Sequence, residues 1–229
     1  METRMKHYKT NILLLGIDAQ SAEILLKSQA QKFGVEITEN SHLLSIKAQE
    51  SIRFHKFLKE VSALFGDKAL FGQNLPQIAL KLLQAKKLKL TTAESCTGGL
   101  LAYQFTQLSG ASEIYDGGVI SYANNIKEAW LNVDSQNLSK FGAVSEMVVG
   151  EMSKGALELS GADIALAASG IAGPHGGSTQ KPVGTTFISV QQRGQKPKIA
   201  RYLFKGNRKS CQKQTCQSAI MMLIREIIE

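Results

Sequence analysis

Three short segments concentrate the residues able to do chemistry. The first is Ala93-Glu94-Ser95-Cys96-Thr97-Gly98-Gly99, where an apolar stretch gives way to a helical pattern. Free backbone N–H groups and the positive end of a helix dipole then lie beside Ser95, a setting that stabilises a developing oxyanion. The paired glycines let a ligand approach the backbone closely. Helix capping by Ser95 or Thr97 explains the same residues without any chemistry. Cys96 competes as nucleophile, because helix N-termini lower thiol pKa values. The chain has only four histidines, His7, His42, His55 and His175, three of them far upstream. A Cys–His pair and a Ser–His triad are therefore both poorly supported, and a serine hydrolase built here needs another base. A lysine desolvated in a pocket loses its proton near neutral pH and fills that role.

The second segment, Gly117-Gly118-Val119-Ile120-Ser121-Tyr122-Ala123-Asn124-Asn125-Ile126-Lys127, offers such a lysine. Tyr122 falls at a strand end and Lys127 in the first helical turn, where the dipole disfavours a cation. A lysine on a short helix is also an ordinary surface charge. The third segment, Ala168-Ser169-Gly170-Ile171-Ala172-Gly173-Pro174-His175-Gly176-Gly177, is a buried-type strand ending in a glycine-rich loop suited to a phosphate or ribose. It lacks the Gly-Lys-Ser/Thr of a P-loop, and no Gly-x-Gly-x-x-Gly follows a strand, which argues against a nucleoside triphosphatase or a dinucleotide oxidoreductase. His175 has no ligand cluster around it and reads as a loop residue rather than a metal ligand.

The elements that must position these groups fall into two parts. Residues 1–73 read as a small β-α-β-β-α-β domain, with strands at 11–15, 35–37, 42–46 and 69–71 and helices at 21–33 and 52–65. Gly34 and Gly66 close the helices, and Glu39-Asn40-Ser41 is the expected turn of the strand pair. Residues 74–229 form the second domain. Helices are expected at 75–85, 98–108, 126–131, 145–160 and 208–228, and strands at 88–93, 118–122, 164–168, 184–191 and 199–204. Ser145 and Glu146 open the long helix and Gly161 ends it. The fold class is α/β, as an α+β sandwich with helices packed on a mixed sheet.

Composition sets the outer limits. Of 229 residues, 43% are hydrophobic and 20% charged, as in an ordinary globular protein. No signal peptide or run of about 18 apolar residues occurs, so the expected location is the cytoplasm, with no membrane contact. Cys96, Cys211 and Cys216 are odd in number and lack CxxC spacing, which argues against disulfides and zinc. The formal charge of +8 favours anionic partners such as a phosphate-bearing metabolite. It is spread thinly, and the first domain shows no basic Gly-x-x-Gly loop, so nucleic acid is not the expected partner.

Together the segments resemble the CinA C-terminal domain family, which includes nicotinamide mononucleotide deamidases. The resemblance covers residues 75–229. It rests on Thr92-Ala93-Glu94-Ser95-Cys96-Thr97-Gly98-Gly99, the Tyr122…Asn124…Lys127 spacing and Gly142-Ala143-Val144-Ser145-Glu146. Ser169-Gly170-Ile171-Ala172-Gly173-Pro174 and Lys181-Pro182-Val183-Gly184 complete it. It implies metal-independent and cofactor-free hydrolysis of the carboxamide of nicotinamide mononucleotide to nicotinic acid mononucleotide and ammonia, by a homodimer. Ser95 is then the nucleophile, Lys127 its base and Tyr122 a group orienting the lysine or touching substrate. Thr97, Gly98, Gly99, Ser112, Ser169, Gly170, Arg208 and Lys213 fall on substrate-binding positions. Ser169 stands where threonine is usual, and Gln212 or Lys213 where an arginine falls by spacing. Arg208 matches a nearby family arginine. The alternative is a catalytically weak or inactive CinA-like protein that binds nucleotides, nucleic acid or a protein partner. Residues 1–73 resemble the KH-like linker that precedes this domain in longer CinA proteins. The large molybdopterin-binding-like domain of those proteins is expected to be absent, and nucleotide pyrophosphatase activity with it.

Overall fold

Strand β1 (Tyr8–Leu14) leads into helix α1 (Ala19–Phe33), which Asp18 opens by accepting from the Ser21 amide at 2.9 Å. Gly34 ends the helix in the left-handed region, at φ 62°, a conformation that costs glycine little. Strands β2 (Glu36–Asn40) and β3 (Leu43–Ala48), helix α2 (Ser51–Phe65) and strand β4 (Ala69–Gly72) follow. The sheet order is β2-β3-β1-β4, with every neighbouring pair antiparallel. Ile12, Leu14, Leu44 and Ile46 of the sheet pack against Leu26, Phe54, Phe57 and Val61 of the helices. The β2–β3 turn lies one residue later than the sequence predicts: Asn40 still pairs with Leu43, and Ser41 takes the positive φ of 56°. This is the computed structural model of the chain; it describes residues 7–229 and divides into a unit ending at Ile78 and a second, Ala79–Glu229.

Helix α3 (Leu75–Lys86) spans that division. Beyond it come β5 (Leu90–Glu94), α4 (Leu100–Thr106), β6 (Tyr115–Ile120), α5 (Asn124–Leu131), α6 (Ser135–Phe141), α7 (Glu146–Ser160), β7 (Ile164–Gly170), β8 (Thr185–Gln192), β9 (Lys198–Leu203) and α8 (Arg208–Ile228). The sheet is mixed, in the order β6-β5-β7-β8-β9: β5 runs parallel to both β6 and β7, and β8 and β9 are antiparallel additions. The fold is α+β. Val148, Val149, Met152 and Ala156 of α7 pack on one sheet face against Ala93, Ala165, Ala167 and Phe187. Side chains alternate across a strand, so Leu166, Ile188 and Val190 point to the opposite face, toward α8.

Two corrections bear on the site. Helix α4 starts at Leu100 rather than Gly98, because Gly98 and Gly99 take φ values of 60° and 98°, outside a right-handed helix. The sequence reading also omits α6, a seven-residue polar helix that buries only Leu138. Among the described residues no helix is long and apolar enough to cross a membrane.

Candidate active site

Parallel strands β5, β6 and β7 deliver the three reactive segments to one end of the sheet, outside their carboxyl termini, where ligands commonly bind in open α/β sheets. Ser95 directly follows β5, and its amide continues the ladder to Ala168 at 3.0 Å. Ser121 follows β6 and bonds Glu94 in the same way at 2.8 Å. Ser169 and Gly170 end β7, and residues 171–184 form the glycine-bearing loop beyond.

Lys127 is fully buried. From the first turn of α5 its side chain curls back beneath the β6–α5 connection. There Nζ donates to the carbonyls of Ser121 at 2.7 Å and Tyr122 at 3.1 Å, and lies 3.2 Å from Ser95 Oγ. Burial lowers its pKa from the ordinary lysine value, opposed in part by the Cys96 sulfur. The two carbonyls can only accept. In a neutral Lys127 both amine hydrogens are therefore committed to them, and the nitrogen lone pair is left for the Ser95 hydroxyl proton. It is the main chain of Tyr122, rather than its ring, that holds the lysine.

Glu94, which carries no catalytic role in the sequence pattern, shapes the turn. Its buried carboxylate accepts from the amides of Gly99 at 2.9 Å, Leu101 at 3.0 Å and Ala102 at 2.7 Å. An acidic residue a few positions before a helix is the sequence signal for such a contact. The expected oxyanion donors change as a result. The Gly99 amide is occupied by Glu94, and the Gly98 amide donates to the Ser95 carbonyl at 3.2 Å. The amides of Cys96 and Thr97 have no acceptor among the described residues, and the buried Thr97 hydroxyl is likewise unpartnered. Those two amides are the donors beside Ser95. Cys96 itself is held as a thiol: burial first, and then the Glu94 charge, push its pKa up to about 12, against the pull of its own backbone amide and then of Arg208 and Lys127.

Other expected residues divide into those brought to this end and those left away from it. Arg208, at the start of α8, donates to the Gly173 carbonyl at 3.1 Å and to the Tyr122 hydroxyl at 2.9 Å. It thus joins the glycine loop to the β6 end. Ser169 is buried, and its hydroxyl donates to the Ala143 carbonyl at 2.7 Å, which ties β7 to the loop before α7. Ser112 lies in the short 3-10 turn Ala111–Glu113, ahead of β6. Tyr115 pairs with Leu90 while Ile120 pairs with Glu94, so Ser112 is at the opposite end of the strands from Ser95. Lys213 is exposed; its neighbour Gln212 faces the turn instead, with Nε2 donating to the Cys96 carbonyl at 2.8 Å. Consecutive helical residues point about 100° apart, so both cannot face it.

Comparison with known proteins identifies relatives of this chain. The CinA C-terminal domain family matches residues 72–227. A CinA-like protein of Thermotoga neapolitana is 35% identical over 211 residues, covering 90% of this chain and 51% of that protein. The chain spans about half or less of the length of the CinA-like relatives it matches first. The nicotinamide-nucleotide amidohydrolase PncC of Enterobacter agglomerans is 42% identical over 147 residues, covering 64% of this chain and 90% of its own length. The crystal structure of competence damage-inducible protein A from Klebsiella pneumoniae superposes with a TM-score of 0.66 at 37% identity, covering 68% of this chain and 96% of that one. The turn around Ser95, the buried lysine and the glycine loop all lie within the matched residues, and the chain belongs to the CinA C-terminal domain family.

Proposed function

We propose that the chain is an amidohydrolase that converts nicotinamide mononucleotide to nicotinic acid mononucleotide and ammonia, with Ser95 as nucleophile and Lys127 as base. Neutral Lys127 takes the Ser95 proton as Oγ attacks the carboxamide carbon. The oxygen that becomes negative is received by the amides of Cys96 and Thr97. Protonated Lys127 then donates to the departing nitrogen, the C–N bond breaks, and ammonia leaves an ester on Ser95. Water adds to that ester with its proton passing to Lys127. Collapse returns the proton to Ser95 Oγ and frees the carboxylate product. In this reading Arg208 and the glycine loop receive the 5′-phosphate, a charge-assisted contact that a guanidinium makes well.

The observation carrying this reading is the 3.2 Å approach to Ser95 Oγ of a buried lysine that has no carboxylate partner among the described residues, its other hydrogens taken by two carbonyls. The substrate is supported by likeness to the PncC relative. Purified protein should release ammonia from nicotinamide mononucleotide, and Ser95→Ala should lower kcat by about 10³-fold or more while remaining folded. An undiminished rate in folded Ser95→Ala would remove the nucleophile assignment, and no ammonia from the parent would remove the substrate.

A further inference from the structure

The amides left for the oxyanion are not part of a regular element, so something must hold their peptide planes. Glu94 already occupies the N-terminus of α4, through Gly99, Leu101 and Ala102, and that helix end is closed to a developing anion. What remains is a single turn, Ser95 to Gly98, closed by the Gly98 amide on the Ser95 carbonyl. That bond fixes the Ser95–Cys96 peptide and hence the Cys96 N–H. Neither Cys96 nor Thr97 has a positive φ, so the turn is right-handed, and successive amides in such a turn point to the same side.

We propose that Gln212 is a positioning residue of the oxyanion site: by donating from Nε2 to the Cys96 carbonyl, it fixes the Cys96–Thr97 peptide and with it the Thr97 N–H. The contact is 2.8 Å long and bridges 116 residues of sequence, from half-buried Gln212 on α8 to the turn. In a trans peptide the C=O and N–H point in opposite directions, so holding the carbonyl toward α8 sets the amide pointing away from it. A bond donated to the carbonyl also polarises the same peptide and makes its N–H a better donor. Among the described residues Gln212 has no hydrogen bond to Ser95 or Lys127, and it acts through this peptide. The residue after a serine nucleophile commonly supplies an oxyanion amide, and here Gln212 secures the second of the pair.

This inference rests on the Ser95–Lys127 reading, and its test separates the two. The protein is treated with a fluorophosphonate probe, whose phosphoryl oxygen occupies the oxyanion position and which carries no nucleotide. Labelling of Ser95 is timed, at a pH where a glutamate is ionised, in the parent and in Gln212→Met and Gln212→Glu, both close in shape and neither then able to donate. Ammonia release from nicotinamide mononucleotide is measured in parallel, with thermal melts to verify folding. The expected result is labelling about 10-fold or more slower in both variants, and kcat reduced similarly with KM within about twofold of the parent. Labelling of Gln212→Met at the parental rate, or a loss confined to KM, would overturn the assignment; the second result makes Gln212 a substrate contact instead. A parent labelled at Ser95 but releasing no ammonia shows that the substrate reading alone has failed, and the labelling rates still decide Gln212. A parent not labelled at Ser95 overturns both.

Discussion

A buried lysine with two carbonyls and one hydroxyl around its nitrogen has a pH dependence of definite sign. As an ammonium, Lys127 donates to all three oxygens, and the Ser95 hydroxyl is an acceptor with no base. As an amine it becomes that base. Burial lowers its pKa below the ordinary value of about 10.4, so the reactive form is gained as pH rises through the lowered pKa. Ammonia release should therefore rise with pH and level off below about pH 10. Stability responds in the same window. Between the lowered folded pKa and the ordinary unfolded one, the unfolded chain binds the extra proton, so stability relative to Lys127→Met should increase with pH and flatten above about 10.4. Denaturant unfolding of both proteins at several pH values checks this. A parent stability that stays constant, or falls, relative to Lys127→Met as pH rises would mean that Lys127 is not held neutral by burial. Lys127→Met should also lower kcat by about 10³-fold or more.

The elements set how closely Lys127 can sit to Ser95. Helix α7 crosses α5 at Gly155, where an added Cβ would lie 2.0 Å from the Leu131 carbonyl. Leu131 ends the same short helix that carries Lys127. Gly to Ala inside a helix ordinarily gains about 0.5–1 kcal/mol. At this position the sign should reverse, because the contact is with backbone that has no rotamer to change. Gly155→Ala should cost about 1–3 kcal/mol in thermal or denaturant melts, and lower kcat by shifting α5 away from the β5–α4 turn; a variant as stable as the parent would show that the helices separate freely. Gly155 also illustrates what the sequence makes legible. Ser145 and Gly161 mark the ends of α7 without ambiguity, and the strand-to-helix passages at Ser95 and Lys127 can be read from local pattern. Gly155 itself, an interior glycine required by a neighbour 24 residues earlier, has no local signature. The same holds for the Gln212 bond to Cys96, which spans 116 residues and depends on which elements become neighbours. The positions of Ser112, at the other end of the strands, and of Lys213, on an exposed side of α8, are illegible for the converse reason, since linear spacing does not tell which end of a strand or side of a helix a residue occupies. Helix α6 escaped because a single buried Leu138 makes no periodicity.

At the scale of the whole chain, every group of the proposed mechanism lies in Ala79–Glu229, while the unit ending at Ile78 has its own core around Phe57 and Ile46. The PncC relative aligns with 147 residues, which make up 90% of its length, so a protein of about this size stands without the preceding unit. We therefore expect residues 74–229 to fold cooperatively when produced alone and to keep kcat for ammonia release within about threefold of the full chain. The starting point matters because the boundary falls inside α3. Asn74 opens that helix, its side chain accepting from the Gln77 amide at 2.9 Å and its carbonyl from the Ile78 amide at 3.1 Å. A fragment beginning at Ala79 loses the cap and the first turn, leaving the remaining eight residues of α3, with buried Ala79 and Leu83, too short to hold themselves in place. The shorter fragment should melt lower than the longer one, and its kcat should fall with its stability. If the 74–229 fragment folds, with a single sharp thermal transition, but loses ammonia release that the full chain has, the first unit contributes to the reaction itself, and the division of labour argued from the core and the matched family residues is wrong.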